Sequence, residues 1–379
     1  MGFCNCKEIK NTICIRLGSK MSKRNCKIEF MRFFFCIMVI LFHSGRRLSI
    51  HPLEFFGHKI TCCANGYIGV EFFFLVSGFL MGKSVFRSIE KDSHGLHQDL
   101  GEETWNFWKR KYMAVFPSNV IAFVFVFIAC AVEKSWRGVD LLRQIMNAIP
   151  NLFLIQKMGF DYRSVNGISW YISAMLIAMM ILYPLCRRHY SFFVHVIGPF
   201  LGFALLGYIQ NRYGTVSGVR TWTVIAFKCV LRAIAEISLG VVCFDLSRRL
   251  RGKVIEPPLR VLATVMECAG YLFVSAFAVF ALPKKYEIIC IALLAICITM
   301  TFSGLSYGKH LFDHDIFRFL GKASLPLYLN QMFAIHIINI FFIHSRVRFQ
   351  LPILFFALCI ACVCSHYLLK SKDLLEKVV

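Results

Sequence analysis

The feature that most constrains this chain is a succession of apolar runs, each close to the length a bilayer demands. A helix needs about 20 mostly apolar residues to cross the hydrocarbon, and a chain in lipid must satisfy its backbone hydrogen bonds internally. Such runs fall at 30–48, 66–86, 112–132, 170–186, 192–208, 225–244, 259–281, 286–306, 323–343 and 351–369. They predict an all-α, polytopic membrane protein with about ten transmembrane helices. Hydrophobic residues make up 58% of the 379, charged ones 17%, and the mean hydropathy is +0.62. A soluble domain carries about 25% charged residues. The run 141–157 is broken by Arg143, Asn147, Pro150 and Asn151 and reads as an interfacial or re-entrant segment. Counting it as an eleventh span would invert the orientation of everything after it.

The net charge of +22 does not point to nucleic acid, because Lys and Arg cluster between the apolar runs, where topology determinants stand. With ten spans, one side of the membrane holds 24 Lys and Arg, the other 14, and five lie within spans. The excess puts both termini in the cytoplasm of a plasma-membrane protein. Residues 1–29, with seven Lys and Arg, read as a basic cytoplasmic tail, 30–369 as the transmembrane domain and 370–379 as a cytoplasmic C-terminal tail. No cleavable signal is read, and Met21, followed by Ser22-Lys23-Arg24, offers an alternative start. The 17 cysteines show no zinc-type spacing and read as small apolar residues, so no metal is expected.

Two titratable groups stand in the first run, Arg32 and His43. Eleven positions apart, they lie on nearly one face of a helix, roughly 16 Å apart along its axis. Such groups are costly at membrane depth and usually face a polar cavity or a partner. His43 is read as a base for an attacking hydroxyl, with a backbone-bonded helix-end histidine as the structural alternative. For Arg32 the alternative is a snorkelling side chain. In the second run Glu71 is placed to orient His43 or to pair with Arg46 or Arg47. Ser77 is a hydrogen-bond donor, and most of Phe72–Phe74 reads as lipid-facing bulk. Arg232 and Glu236, four apart, read as either a self-contained ion pair or a polar lining. Trp170 reads as either an interfacial anchor or a sugar-stacking platform.

Six ordered pieces resemble the acyltransferase-3 family of membrane O-acyltransferases. They are the arginine-x10-histidine pair Arg32/His43; Gly66-Tyr-Ile-Gly-Val-Glu71-Phe-Phe-Phe-Leu-Val-Ser77-Gly-Phe79; and Phe107-Trp-Lys-Arg110-Lys111-Tyr-Met-Ala-Val-Phe-Pro117. Gly167-Ile-Ser-Trp170-Tyr-Ile-Ser173, Arg232-Ala-Ile-Ala-Glu236-Ile-Ser-Leu-Gly240 and Leu320-Gly-Lys-Ala-Ser324-Leu-Pro-Leu-Tyr328-Leu329 follow. The resemblance covers roughly residues 25–370. It implies transfer of an acetyl or similar acyl group from cytoplasmic acyl-CoA to a hydroxyl of a cell-surface polysaccharide, such as an exopolysaccharide, or its lipid-linked precursor. Acetyl-CoA is then a donor substrate, no cofactor is tightly bound, and the remaining partners are membrane lipids. The resemblance also implies catalytic roles for His43, Arg32 and Glu71, the last standing where the family usually has aspartate. Arg110, Lys111, Ser77, Trp170, Ser173, Arg232 and Tyr328 fall to substrate binding; Arg248, Arg249 and Arg251, on the cytoplasmic side, read as either further cations for CoA phosphates or ordinary positive-inside anchors. The chain departs from the family pattern at Ala114, Met175 and Gln331, where an arginine, a glutamate and a histidine are common. A reading from another class is a glycan or lipid transporter that uses the same polar residues without acyl-transfer chemistry.

Overall fold

The computed structural model describes residues 25–48, 53–55, 58–60, 63–92, 99–160, 164–253, 255–342 and 347–378. Within them ten long helices appear where apolar runs were read, together with one shorter amphipathic helix. Helix α1 is Cys26–Arg47, α2 is Gly69–Asp92, α3 is Leu100–Glu133 and α4 is Gly138–Leu152. Helix α5 is Trp170–Arg188, and α6 is the continuous run Tyr190–Tyr213, which carries a π-helical stretch at Phe193–Ile197. Helix α7 is Lys228–Leu250, α8 Pro257–Val279, α9 Glu287–Ser303, α10 Asp315–Phe341 and α11 Val347–Val378. Two three-residue strands, Leu53–Phe55 and His58–Ile60, pair as a small antiparallel hairpin between α1 and α2. The basic tail expected at 1–29 lies outside the described residues up to residue 24.

Helix boundaries follow capping chemistry more than hydropathy. Helix α1 starts at Cys26 because the Asn25 side chain accepts from the Lys27 and Ile28 amides, satisfying two otherwise orphaned donors. Asp99 caps α3 in the same way, accepting from the Glu102 amide, so this helix begins twelve residues before the expected span. The broken run 141–157 becomes α4 followed by an irregular segment. Val139, Leu142, Ile145, Met146 and Ile149 are exposed along α4, a one-sided apolar stripe of the kind an interfacial helix presents.

Eight of the long helices are long and apolar enough to cross a membrane; α7 and α10 are long enough but more polar. Packing accounts for the difference. Helix α7 lies against α2, α5, α6 and α9, and α10 lies against α1, α3 and α11. Lys228, Arg232, Glu236 and Asp245 of α7 are all buried by these neighbours. Groups too polar for lipid are thus held against protein. Helices α1 and α2 are shared by two apolar clusters, one built with α3, α5, α7, α10 and α11, the other with α6 to α9. Phe72 and Phe74 are fully buried, and Phe72 stacks on Phe35 at 4.6 Å. The expectation that this aromatic run faces lipid is therefore corrected, because α2 has protein on several sides.

Small residues let α2 and α7 approach closely. A Cβ added to Gly78 would run into the Ile237 carbonyl, and one added to Gly240 into the Leu75 carbonyl. Gly207 in α6 has nothing within 4 Å of such a Cβ. Gly78→Leu is therefore expected to destabilise by about 1–3 kcal/mol or more through overpacking, while Gly207→Ala is expected to be neutral or slightly stabilising. Thermal unfolding midpoints of the detergent-purified variants check this, and equal midpoints would contradict the close α2–α7 contact.

Candidate active site

Helix α1 presents two half-buried polar side chains, Arg32 and His43, on its shared face. Arg32 lies 3.3 Å from Glu29 Oε2 through Nη1. Lys111 of α3, Tyr171 of α5 and Cys36 of α1 lie within electrostatic reach of it. Lys111 in turn lies near Arg110, which is exposed. Ser77 Oγ is 3.4 Å from the Tyr171 hydroxyl and 3.3 Å from Met175 Sδ, so Met175 at a departure from the family pattern joins this group. The Arg32 end of α1 thus gathers two cations, Arg32 and Lys111, with a serine and a tyrosine, a donor set suited to an anionic ligand. His43 lies toward the other end of the helix and makes no hydrogen bond among the described residues; Arg46 and Arg47 are its nearest charges.

Glu71 does not meet His43, nor does it pair with Arg46 or Arg47. Gly66 lies against Met38 and Phe42, and Gly69 against Phe35 and Val39. This antiparallel register puts Glu71 level with Phe35, about 12 Å below His43 at 1.5 Å per residue. Glu71 turns instead to α7. Its Oε2 accepts from Arg232 Nε at 2.8 Å, and both side chains are fully buried. Arg232 also lies 3.7 Å from Glu236 Oε1 and donates through Nη1 to the Val216 carbonyl at 3.1 Å. Trp170 and Phe74 close over its guanidinium, at 5.1 and 5.7 Å from the ring centroids. A third buried carboxylate sits beside this cluster: Glu287 accepts from the Tyr67 hydroxyl, from Thr215 Oγ1 at 2.7 Å and from the Val216 amide at 2.6 Å.

The other expected residues take these places. Trp170 is buried, its ring over the Arg232 guanidinium. Ser173 Oγ accepts from the Lys157 amide at 3.2 Å and so ties the segment after α4 to α5. Tyr328 donates to the Ile168 carbonyl at 2.8 Å, joining α10 to the turn before α5. Arg248 and Arg249 are engaged with Asp245 at 2.9 and 2.5 Å, and Arg251 donates to the Phe302 carbonyl at 3.0 Å. Gln331 is buried and donates to the Tyr328 carbonyl at 2.8 Å. Five residues further along α10 stands His336, paired through Nδ1 with Glu133 of α3. The sequence reading missed this histidine and this carboxylate, since only the fold joins positions 203 apart.

A family model for an acyltransferase domain, that of the acyltransferase-3 family, matches residues 27–370. No curated protein and no solved structure matches the chain. The chain belongs to the acyltransferase-3 family and is a multi-pass membrane acyltransferase.

The two arginines singled out are expected to respond differently to removal. Arg232→Ala leaves Glu71 and Glu236 buried without a cation, a loss expected to cost about 3–5 kcal/mol. Arg32→Ala removes a half-exposed ion pair and is expected to cost no more than about 1 kcal/mol. Comparing thermal midpoints of the two purified variants checks this ordering; a larger drop for Arg32→Ala would reverse the assignment.

Proposed function

We propose that the protein is an O-acyltransferase, moving an acetyl or similar acyl group from acyl-CoA to a hydroxyl of a cell-surface polysaccharide or its lipid-linked precursor. Both termini and the Arg32 end of α1 then face the cytoplasm of a plasma membrane, as the distribution of Lys and Arg favours. One observation carries the reading. Arg32 and His43 share a face of α1 and are half-buried, while the other intramembrane charges around Glu71 and Arg232 are fully buried and held by one another. The pair is therefore open to a ligand.

In this reading, Arg32, Lys111 and Arg110 receive the phosphates of CoA, with Ser77 and Tyr171 beside them. The acyl-pantetheine arm extends roughly 16 Å along α1 toward His43. His43 takes the proton of the acceptor hydroxyl through its free imidazole lone pair, and the oxygen attacks the acyl carbonyl. Glu71 supports this indirectly, by fixing α2 against α7 behind α1, rather than by touching the histidine.

Acetyl-CoA turnover by detergent-purified protein, followed as free-thiol release with and without a mixture of cell-surface glycans, tests the proposal. Glycan-stimulated release is expected for the wild type and a loss of at least about 100-fold for His43→Ala, the contribution typical of a general base, with the thermal midpoint unchanged. Wild-type rates in a well-folded His43→Ala protein would remove His43 from the chemistry. Background release from the wild type across a broad acceptor set would favour a transporter.

A further inference from the structure

Three side chains outside the proposed CoA path form a second reactive group. Cys130 and Glu133 stand one turn apart near the end of α3, and His336 of α10 lies against both. Cys130 Sγ is 3.3 Å from His336 Nε2, and His336 Nδ1 hydrogen-bonds Glu133 Oε2. Asn339, one turn further along α10, donates to Glu133 Oε1 at 3.0 Å and holds the carboxylate from its other side. Cys130 and His336 are 4% and 5% exposed, so the thiol–imidazole contact is shielded from water, whereas the Glu133 side chain is 25% exposed.

The chemistry of the partners fixes the tautomer. An ionised carboxylate only accepts, so the proton on Nδ1 points at Glu133 and the lone pair on Nε2 is left for the Cys130 thiol. A nucleophile in contact with a base, which is in turn oriented by a carboxylate, is the arrangement that activates a thiol for acyl transfer. Joining α3 to α10 needs only the Glu133–His336–Asn339 contacts; a thiol on the remaining ring nitrogen adds a nucleophile to them. The cations Arg47 and Lys134 lie within electrostatic reach of the sulfur, as does the Glu133 carboxylate, which opposes them.

The group also lies at the right depth. Helices α1 and α10 run in the same direction, with Gly321 against Glu29 and the Ser324 carbonyl accepting from Cys36 Sγ at 3.2 Å. Carried along both helices, this register sets His336 level with the last turn or so of α1, within about one turn, roughly 5 Å, of His43 along the axis. An acyl group at the depth of His43 is therefore also at the depth of Cys130.

We propose that Cys130, His336 and Glu133 form a nucleophile–base–carboxylate triad in which Cys130 carries the acyl group between donor and acceptor. The proposal rests on the acyl-CoA-dependent reading above. His336 Nε2 takes the thiol proton, and Sγ attacks the thioester carbonyl. The bond from the acyl carbon to the CoA sulfur breaks, and CoA leaves as the thiol with the proton returned from Nε2. One thioester replaces another, so no further reactant is needed. The acceptor hydroxyl then loses its proton to His43, and its oxygen attacks the acyl carbon. The bond to Cys130 breaks, and a proton returns to the sulfur as His43 gives one up to solvent.

The full-length protein in detergent, incubated with radiolabelled acetyl-CoA and no acceptor, reads the intermediate. A single acetyl label, released by neutral hydroxylamine and mapped to the peptide holding Cys130, is expected. It should be discharged by the glycan mixture and absent from Cys130→Ala. Acetyl-CoA turnover stimulated by glycans in the wild type and kept at more than about half that rate by Cys130→Ala would overturn the carrier role, as would a label on another residue. If no protein turns over acetyl-CoA, the donor reading has failed separately, and alkylation judges the triad. Among the 17 cysteines, Cys130 should react with iodoacetamide at neutral pH about tenfold faster in the wild type than in His336→Gln, which loses the base. Equal alkylation rates in the two proteins would overturn the triad.

Discussion

The guanidinium of Arg232 sets the geometry of the bundle. It is almost fully buried among helices that cross the membrane, so its charge has no solvent to fall back on and must be met by protein on every side. Glu71 supplies the ion pair from α2, Glu236 a second carboxylate one turn along α7, and the Val216 carbonyl an acceptor from the connection between α6 and α7. Trp170 and Phe74 present ring faces from α5 and α2. One side chain therefore prescribes where four segments lie. The glycines at 78 and 240 are what allow it, because a side chain at either would separate α2 from α7.

That requirement reaches the proposed active site through register. With Glu71 committed to Arg232, the start of α2 is fixed against the middle of α1, and Phe72 stacks on Phe35. The carboxylate then cannot rise to His43. The histidine is left with arginines for neighbours, so an imidazolium there would stand among like charges. At that end of the bundle α3 carries Glu133, which is within electrostatic reach of Arg47 and paired with His336.

Much of the fold was legible because a bilayer makes helix length and apolarity nearly sufficient evidence. The ten runs appear as helices, and the broken run at 141–157 was distinguishable by Pro150 and its polar residues. Two boundaries moved with a side-chain cap, Asn25 and Asp99 beginning helices in sequence that hydropathy alone reads as tail or loop, whereas α10 begins eight residues before its expected span without one. The candidate site was legible only along one helix at a time. Eleven residues of spacing place Arg32 and His43 on one face, and four place Arg232 near Glu236. No spacing tells which face meets which neighbour. Arg232 and Glu71 are 161 positions apart, Cys130 and His336 206, and these pairings come from tertiary packing alone. Trp170 illustrates the same limit: its amphipathic ring suits a membrane interface, and only α7 supplies the buried cation it covers.

Burial separates the charges that build this protein from those available to a substrate. Arg232, Glu71, Glu236 and Glu287 are enclosed; the first two and Glu287 are hydrogen-bonded by protein, while Glu236 lies 3.7 Å from Arg232 with neither oxygen hydrogen-bonded among the described residues. Displacing them would expose unpaired charge in a medium of low dielectric, so they resist the movement that catalysis asks of a side chain. Arg32, Lys111 and His43 keep partial exposure and few partners, so a ligand can meet them without first breaking the bundle. Glu133 lies between the two classes: its carboxylate is held by His336 and Asn339 yet remains 25% exposed. A group of that kind can orient an imidazole from a partly exposed position. The fully buried cluster behind α1 is thus a framework, distinct from the partly exposed side chains on which the proposed chemistry rests.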